Sequence, residues 1–234
     1  MTSRFDSPGD LTDITDLAEF VENPEPRCPC ILVLDCSYSM SGPRIQALND
    51  AVEQFKDEVC NDQLTAMRAE VAVIAYSHEI NVVQDFVTVQ EFNPPRLVAD
   101  GGTRIAGAIN ASLDLLEARK ETYRVNGIEY FRPIALLITD GYPEHDSTDD
   151  IAAASERVKQ AEQQRAVAYF AFGVDDADMN SLSDFMAPQR PPRPLRGAQL
   201  KGIFQWLANS VAAISQSQPG MNLELPSQDQ YLSY

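Results

Sequence analysis

Two short runs of the chain, Ile31–Leu34 and Ile134–Ile138, are apolar at every position, and each leads straight into oxygen-bearing side chains. Such runs predict strands buried on both faces, as in a parallel sheet. Glu70–Tyr76 and Val167–Phe172 predict two more strands, the second closed by Gly173. Val82–Val89 follows Glu70–Tyr76 after a link, Ser77–Asn81, too short for a helical crossover, so this pair is predicted antiparallel, with Val82–Val89 at the sheet edge. Between the strands the period changes to steps of three and four. Ile45, Leu48, Val52, Phe55 and Val59 predict one amphipathic helix, opened by Ser41-Gly42-Pro43 with Pro43 at its first position. Ile105, Ile109, Leu113 and Leu116 predict a second, with Thr103 as its natural N-cap. A third runs through Ala161 with Asp149 or Asp150 at its cap. Leu200, Ile203, Phe204, Leu207, Val211 and Ile214 predict the last, with Trp206 beside them. The class is α/β and Rossmann-like: a mostly parallel central sheet of about six strands, one antiparallel edge strand, and helices on both faces.

Three divisions follow. Residues 1–22 form an acidic lead with one turn of helix at Leu17–Val21, stopped by Pro24 and Pro26. Residues 23–218 hold the folded domain, and 219–234 read as a loose tail. The Pro- and Arg-rich stretch 187–197 has two readings, a stiff connector ending in a short edge strand or a polyproline II segment that docks on a partner.

The chemistry gathers at the carboxyl ends of the strands, where open α/β sheets bind ligands. Asp35, Ser37 and Ser39 follow the first strand at spacing i, i+2, i+4, so a tight loop can turn three oxygen side chains to one place. An Asx-type turn alone would explain that spacing. Two later stretches, Asp100-Gly101-Gly102-Thr103 and Ile138-Thr139-Asp140-Gly141, add further oxygen ligands where a strand or loop meets a helix. Oxygen-only donors suit a hard cation such as Mg²⁺ or Mn²⁺.

Asp35-x-Ser37-x-Ser39, then Thr103, then Asp140 resembles the von Willebrand factor A family and its metal-ion-dependent adhesion site, known as MIDAS. The form Asp35-Cys36-Ser37-Tyr38-Ser39-Met40 is similar to the metal loop of integrin β chains, whereas many bacterial members carry Gly where this chain has Tyr38. Asn23-Pro24-Glu25-Pro26-Arg27-Cys28-Pro29-Cys30 resembles stand-alone bacterial members, including those encoded with tellurite-resistance genes. The resemblance implies that Ser37, Ser39 and Thr103 bind the metal directly, with Asp35 and Asp140 acting directly or through water. It places Asp35 and Asp140 on adjacent strands. Tyr38, Gly102, Gly141, Tyr142 and Glu144 would form a partner-binding rim.

Charge narrows the partners. The 234 residues carry 35 acids against 18 bases, a net charge of −17, which argues against nucleic acid or an anionic membrane as partner. No apolar stretch is long enough to span a bilayer, and Met1–Asp16 lacks a signal pattern, so a cytoplasmic location is expected. The four cysteines then read as reduced thiols: Cys28 and Cys30 have no second Cys pair or nearby His to complete a zinc site, and Cys36 is a poor ligand for a hard ion.

The expected function is a metal-dependent protein-binding module that captures an Asp or Glu of a partner protein, in a stress-response or signalling system such as tellurite resistance. By family resemblance the partner is a kinase or phosphatase of the same system. No enzymatic activity is expected. The alternatives are a metal-dependent phosphohydrolase with Asp35 as nucleophile, and a scaffold with a purely structural metal site. Against the first, Ser37 stands where haloacid-dehalogenase-type phosphatases have a second aspartate, and no Gly-rich phosphate loop occurs.

Overall fold

A computed structural model describes Phe20 and residues 23–232. The acidic lead and its helical turn at Leu17–Val21 lie outside the described residues, apart from Phe20, which is buried. The elements in order are β1 (Cys28–Asp35), α1 (Pro43–Cys60), α2 (Gln63–Arg68), β2 (Ala69–Tyr76), β3 (Ile80–Thr88), α3 (Ile105–Val125), β4 (Ile134–Thr139), α4 (Thr148–Gln163), β5 (Ala168–Val174), α5 (Met179–Phe185), β6 (Arg193–Leu195) and α6 (Leu200–Ser215). The sheet runs β3-β2-β1-β4-β5-β6. Every pairing is parallel except β2–β3, which puts an antiparallel strand at one edge.

Period-two alternation sorts the strand side chains between two cores. Cys30, Leu32 and Leu34 of β1 face α1 and α6, whereas Ile31 and Val33 face α3, α4 and α5. Both faces of β1 are therefore sealed, and all eight of its residues are buried. The chain leaves β1 towards β2 on one side and returns from α3 to β4 on the other. The strand order thus reverses between β1 and β4, and a crevice opens at their carboxyl ends.

Local chemistry differs from expectation at four places. The cap of α4 is Ser147, whose hydroxyl accepts the Asp150 N–H in a reciprocal capping box, so Asp150 acts at the third helical position rather than as the cap. Thr103 does not cap α3: Arg104 holds the cap position without a capping side chain, and Asp146 reaches across to accept the Ala106 N–H at 2.9 Å. The short helices α2 and α5 carry too few apolar repeats to show in the sequence. Each is opened by an aspartate cap, Asp62 and Asp178. Residues 219–232 are not loose. Trp206 Nε1 donates to Pro226 O at 2.7 Å, Asn209 donates to the Tyr231 hydroxyl at 2.8 Å, and Leu225, Tyr231 and Leu232 pack against the core on the α6 side. The Pro- and Arg-rich stretch includes β6, which pairs with the end of β5 through Arg193–Leu195.

Below the sheet, at the amino end of β2, Glu70 is fully buried and surrounded by donors. Arg27 Nε donates to its Oε1 at 3.0 Å, Arg119 Nε to its Oε2 at 2.8 Å, and the Tyr123 hydroxyl donates to that same Oε2. The Phe20 ring lies 5.3 Å from the Arg27 guanidinium and 5.2 Å from that of Arg119. Removing one member of a buried ion cluster strands the others in a low dielectric. Glu70→Gln, which keeps the volume and deletes the charge, is expected to lower stability by about 3–5 kcal/mol in urea unfolding. A loss under about 1 kcal/mol would show that the two arginines do not depend on it.

Candidate metal centre

The crevice between β1 and β4 holds the five residues that the motif singles out. Asp35, the last residue of β1, has no exposed surface. Its Oδ1 accepts the Ser37 N–H at 2.8 Å, and its Oδ2 accepts the Thr139 hydroxyl at 2.6 Å. The loop after β1 closes into a 3-10 turn, Tyr38–Met40, that brings Ser37 and Ser39 side by side with their hydroxyls 2.9 Å apart. Ser39 Oγ then donates to Asp140 Oδ1 at 2.6 Å. Asp35, Ser37, Ser39 and Asp140 thus form one connected line of oxygens.

Thr103 arrives from the loop before α3 and is buried. That loop is tied to the β1 loop by two backbone bonds, Asp100 N–H to Cys36 O at 2.7 Å and Tyr38 N–H to Gly101 O at 2.8 Å. Gly101 has φ +73, and a Cβ there would stand 1.9 Å from His78 Nδ1. A Cβ on Gly102 would stand 2.1 Å from His145 Nε2. Only glycines let the two imidazoles close on this loop.

Gly141 shows the convergence most directly. A Cβ on it would lie 2.9 Å from Thr103 Oγ1 and 3.3 Å from Asp35 Oδ2. The site therefore has a small space bounded by a hydroxyl and a carboxylate that any side chain at 141 would fill. Among the described residues no group of three or more His, Cys, Asp and Glu side chains forms a metal cage. The set here is instead three hydroxyls and two carboxylates, a donor set that fits a hard cation. Asp35, Ser37, Ser39, Thr103 and Asp140 would hold it.

Electrostatics agree with the donor chemistry. Burial pushes the Asp35 carboxyl up to about 6, against the lowering effect of its bonds from Ser37 and Thr139. A carboxylate whose charge is held away from water is one that a cation stabilises. The Asp140 side chain is 1% exposed, and its second oxygen accepts Arg44 Nη1 at 2.6 Å. Arg44 also pairs with Asp175 at 2.8 Å.

The expected rim residues lie within four positions of a candidate donor along the chain. Tyr38 and Tyr142 leave 74% and 57% of their surface exposed. Glu144 is exposed, and Gly102 and Gly141 are half-buried. Two contributors were not singled out from the sequence. Thr139 lies inside the Ile138–Gly141 stretch, and strand alternation alone turns it towards Asp35. Arg44 sits one position inside α1 and carries no motif.

An open α/β sheet whose strand order reverses at a crevice is the architecture of a ligand-binding domain, and here oxygen side chains gather at that reversal. Residues 30–193 match the von Willebrand factor type A domain model, and the chain belongs to that family. The fold is similar to that of a von Willebrand factor type A protein from Catenulispora acidiphila, with TM-score 0.61 and 18% identity over 81% of this chain and 43% of that one. It is similar to the vWF domain of the type V pili tip protein Mfa5 from Porphyromonas gingivalis, with TM-score 0.60 and 11% identity over 84% of this chain and 99% of that domain. It is also similar to the pilus adhesin SpaC from Lactobacillus rhamnosus GG, with TM-score 0.60 and 14% identity over 82% of this chain and 32% of that one. At these identities the likeness is one of fold. The chain spans less than half of the first and third of these proteins. No curated protein sequence matches the chain.

Thr139→Val removes the hydroxyl bonded to Asp35 without changing the side-chain shape. It is expected to destabilise the EDTA-treated protein by about 1–3 kcal/mol, the cost of a buried acceptor left short of a donor. Urea unfolding of both proteins in EDTA checks it, and equal midpoints would mean that Asp35 does not rely on Thr139.

Proposed function

We propose that this domain is a metal-dependent protein-binding module that captures an Asp or Glu side chain of a partner protein. The observation that carries the reading is the connected line of oxygens from Asp35 through Ser37 and Ser39 to Asp140, with Thr103 facing Asp35 across Gly141. Bound there, Mg²⁺ or Mn²⁺ would supply an electrophilic centre for a partner carboxylate. With Ser37, Ser39 and Thr103 binding directly and the two aspartates acting through water, the ion would keep much of that charge for the partner. Ser39 is the most exposed of the donors, so the crevice opens towards solvent beside it. Tyr38 and Tyr142 flank this opening and supply apolar contact area for the partner. A shift of Asp140 between its Ser39 and Arg44 bonds would couple capture to the position of α1, a population shift between two arrangements.

The same geometry supports a non-catalytic reading. Asp35 is enclosed and both of its oxygens accept hydrogen bonds, so it is poorly placed to attack a phosphorus atom. Von Willebrand factor A domains commonly serve as adhesion or protein-binding modules, which supports a binding role here. No helix among the described residues is long and apolar enough to cross a membrane. We place the protein in the cytoplasm, in a stress-response or signalling system such as tellurite resistance, with a kinase or phosphatase of that system as partner. The support is the resemblance carried by Asn23–Cys30 together with the five-donor motif.

The test is affinity capture from host lysate with the full chain as bait, in Mg²⁺, in EDTA, and with Asp140→Ala in Mg²⁺ after its fold is checked by circular dichroism. A partner kept only by the wild type with metal is the expected result. One kept equally in all three would move the function away from this site and leave any ion there a structural role.

Arg44 provides a second check. Its guanidinium shares the Asp140 carboxylate that a cation would need. Arg44→Gln is expected to tighten Mn²⁺ binding roughly five- to tenfold in calorimetry, because a nearby like charge at a partly exposed site costs about 1 kcal/mol. Weaker binding would show instead that Arg44 holds Asp140 in place for the ion.

A further inference from the structure

A second cavity lies at the opposite end of the sheet from the metal centre. Its floor includes Ile134 and Ala168, the first residues of β4 and β5, and its volume is about 860 Å³. That falls within the range of roughly 300–1,000 Å³ typical of small-molecule sites. The tail folds across it from Gly220 to Gln228 and forms one wall.

The lining is unlike the rest of the protein. Five basic residues, Lys120, Arg124, Arg132, Arg165 and Arg190, meet here in a chain whose net charge is −17. Four carboxylates oppose them: Glu117 and Glu224 in the lining, Glu162 behind it, and Glu121 paired with Arg124. Glu162 alone serves two guanidiniums, Arg132 Nη2 at 2.7 Å and Arg190 Nε at 2.7 Å, so one of those charges stays uncompensated. Arg132 Nε is buried and has no hydrogen-bond partner. Burial, with repulsion from Arg190 and Arg165, holds the Arg132 guanidinium below its ordinary value. Behind these cations lie two buried rings, Phe170 and Trp206, and the exposed apolar lining comes from Met221 and Leu223 of the tail. Arg190 lies 4.4 Å over the Phe170 ring, and Trp206 meets Phe170 edge-on with ring centres 4.7 Å apart.

Backbone conformation adds an independent observation. After α4 the chain closes with a 2.8 Å bond from Ala166 N–H to Ala161 O, the pattern in which glycine usually takes the left-handed position. Arg165 occupies that position, at φ 58. A non-glycine residue there is strained, and the strain persists only where something else holds it. What the strain achieves is to bring a guanidinium to the cavity rim, where it donates to Asn222 of the tail.

We propose that this cavity binds a small organic anion, a phosphate or carboxylate carried on a flat apolar body. Arg165, Arg132 and Arg190 would take the anionic group, and Met221 and Leu223 of the tail wall the body. Cations in surplus beside an exposed apolar wall suit both parts of such a ligand at once.

Trp206 is the only tryptophan in the chain, so its indole N–H gives a single resonance that reports on the cavity. It donates to Pro226 O, in the wall that a ligand would touch. The experiment titrates the full ¹⁵N-labelled chain with phenyl phosphate, benzoate, inorganic phosphate and phenol while following that resonance. Saturable shifts are expected with phenyl phosphate, benzoate or both, and binding at least tenfold weaker with inorganic phosphate and phenol. Which of the first two binds tighter identifies the anionic group. Arg165→Gly relieves the backbone strain, so it should fold at least as stably, yet weaken binding roughly 10- to 100-fold, as loss of a charge-assisted contact does. Absence of saturation with both aromatic anions, equal binding of phenol or of inorganic phosphate, or undiminished affinity in Arg165→Gly would each overturn the proposal. None of these outcomes bears on the metal centre, which lies at the other end of the strands.

Discussion

A single buried carboxylate constrains the upper end of this domain. Asp35 terminates a strand sealed on both faces, at the point where the strand order reverses, and it has no exposed surface. Everything nearby is arranged around that charge. β4 contributes the Thr139 hydroxyl, the first loop contributes the Ser37 N–H, and two backbone bonds hold the Thr103 loop against the first loop. Yet each of these direct partners of Asp35 is neutral. Hydrogen bonds lower the cost of its ionised form without removing it, and the carboxyl titrates near 6 rather than near 4.

The contrast with Glu70 is informative. That residue is equally buried, at the other end of the neighbouring strand, and the chain itself surrounds it with Arg27, Arg119 and Tyr123. One buried carboxylate is balanced internally and serves to hold β1, β2 and α3 together. The other is left without a cation in contact, next to two serines, a threonine and a second aspartate. The two acids thus share their burial and differ in how the chain compensates their charge.

Much of this was legible in the residues. Continuous apolar runs marked β1 and β4 because a strand covered on both faces has no polar side to show. Steps of three and four marked α1, α3 and α6, and the short Ser77–Asn81 link marked the antiparallel edge. All five candidate donors stood in short local motifs, which the resemblance to the von Willebrand factor A pattern joined into one set. What the sequence hid depends on distance across the fold. Thr139 meets Asp35 across 104 positions, and Arg44 meets Asp140 across 96. The Glu70 cluster joins three segments that share no pattern. Asp146 caps α3 from the far side of β4, so Thr103 looked like a cap only while its competitor was out of sight. The tail looked loose because few apolar residues are spread along it. Its attachment depends on individual bonds to Trp206 and Asn209 instead of a periodic face.

Net charge explains why the rim would matter as much as the donors. At −17 the whole chain repels an acidic partner at long range, but in physiological salt that field decays over about 8–10 Å. Inside that distance local groups decide the outcome: Arg44 beside Asp140, any ion among the donors, and the exposed rings of Tyr38 and Tyr142. A lone carboxylate gains little from a surface cation, because water screens it as well as the site does. Apolar contact with two aromatic rings excludes that water, lowers the local dielectric, and strengthens the same ionic contact. The exposed tyrosines and the buried acids would therefore act as one device, in which the rings provide contact area and the donors provide selectivity for a carboxylate.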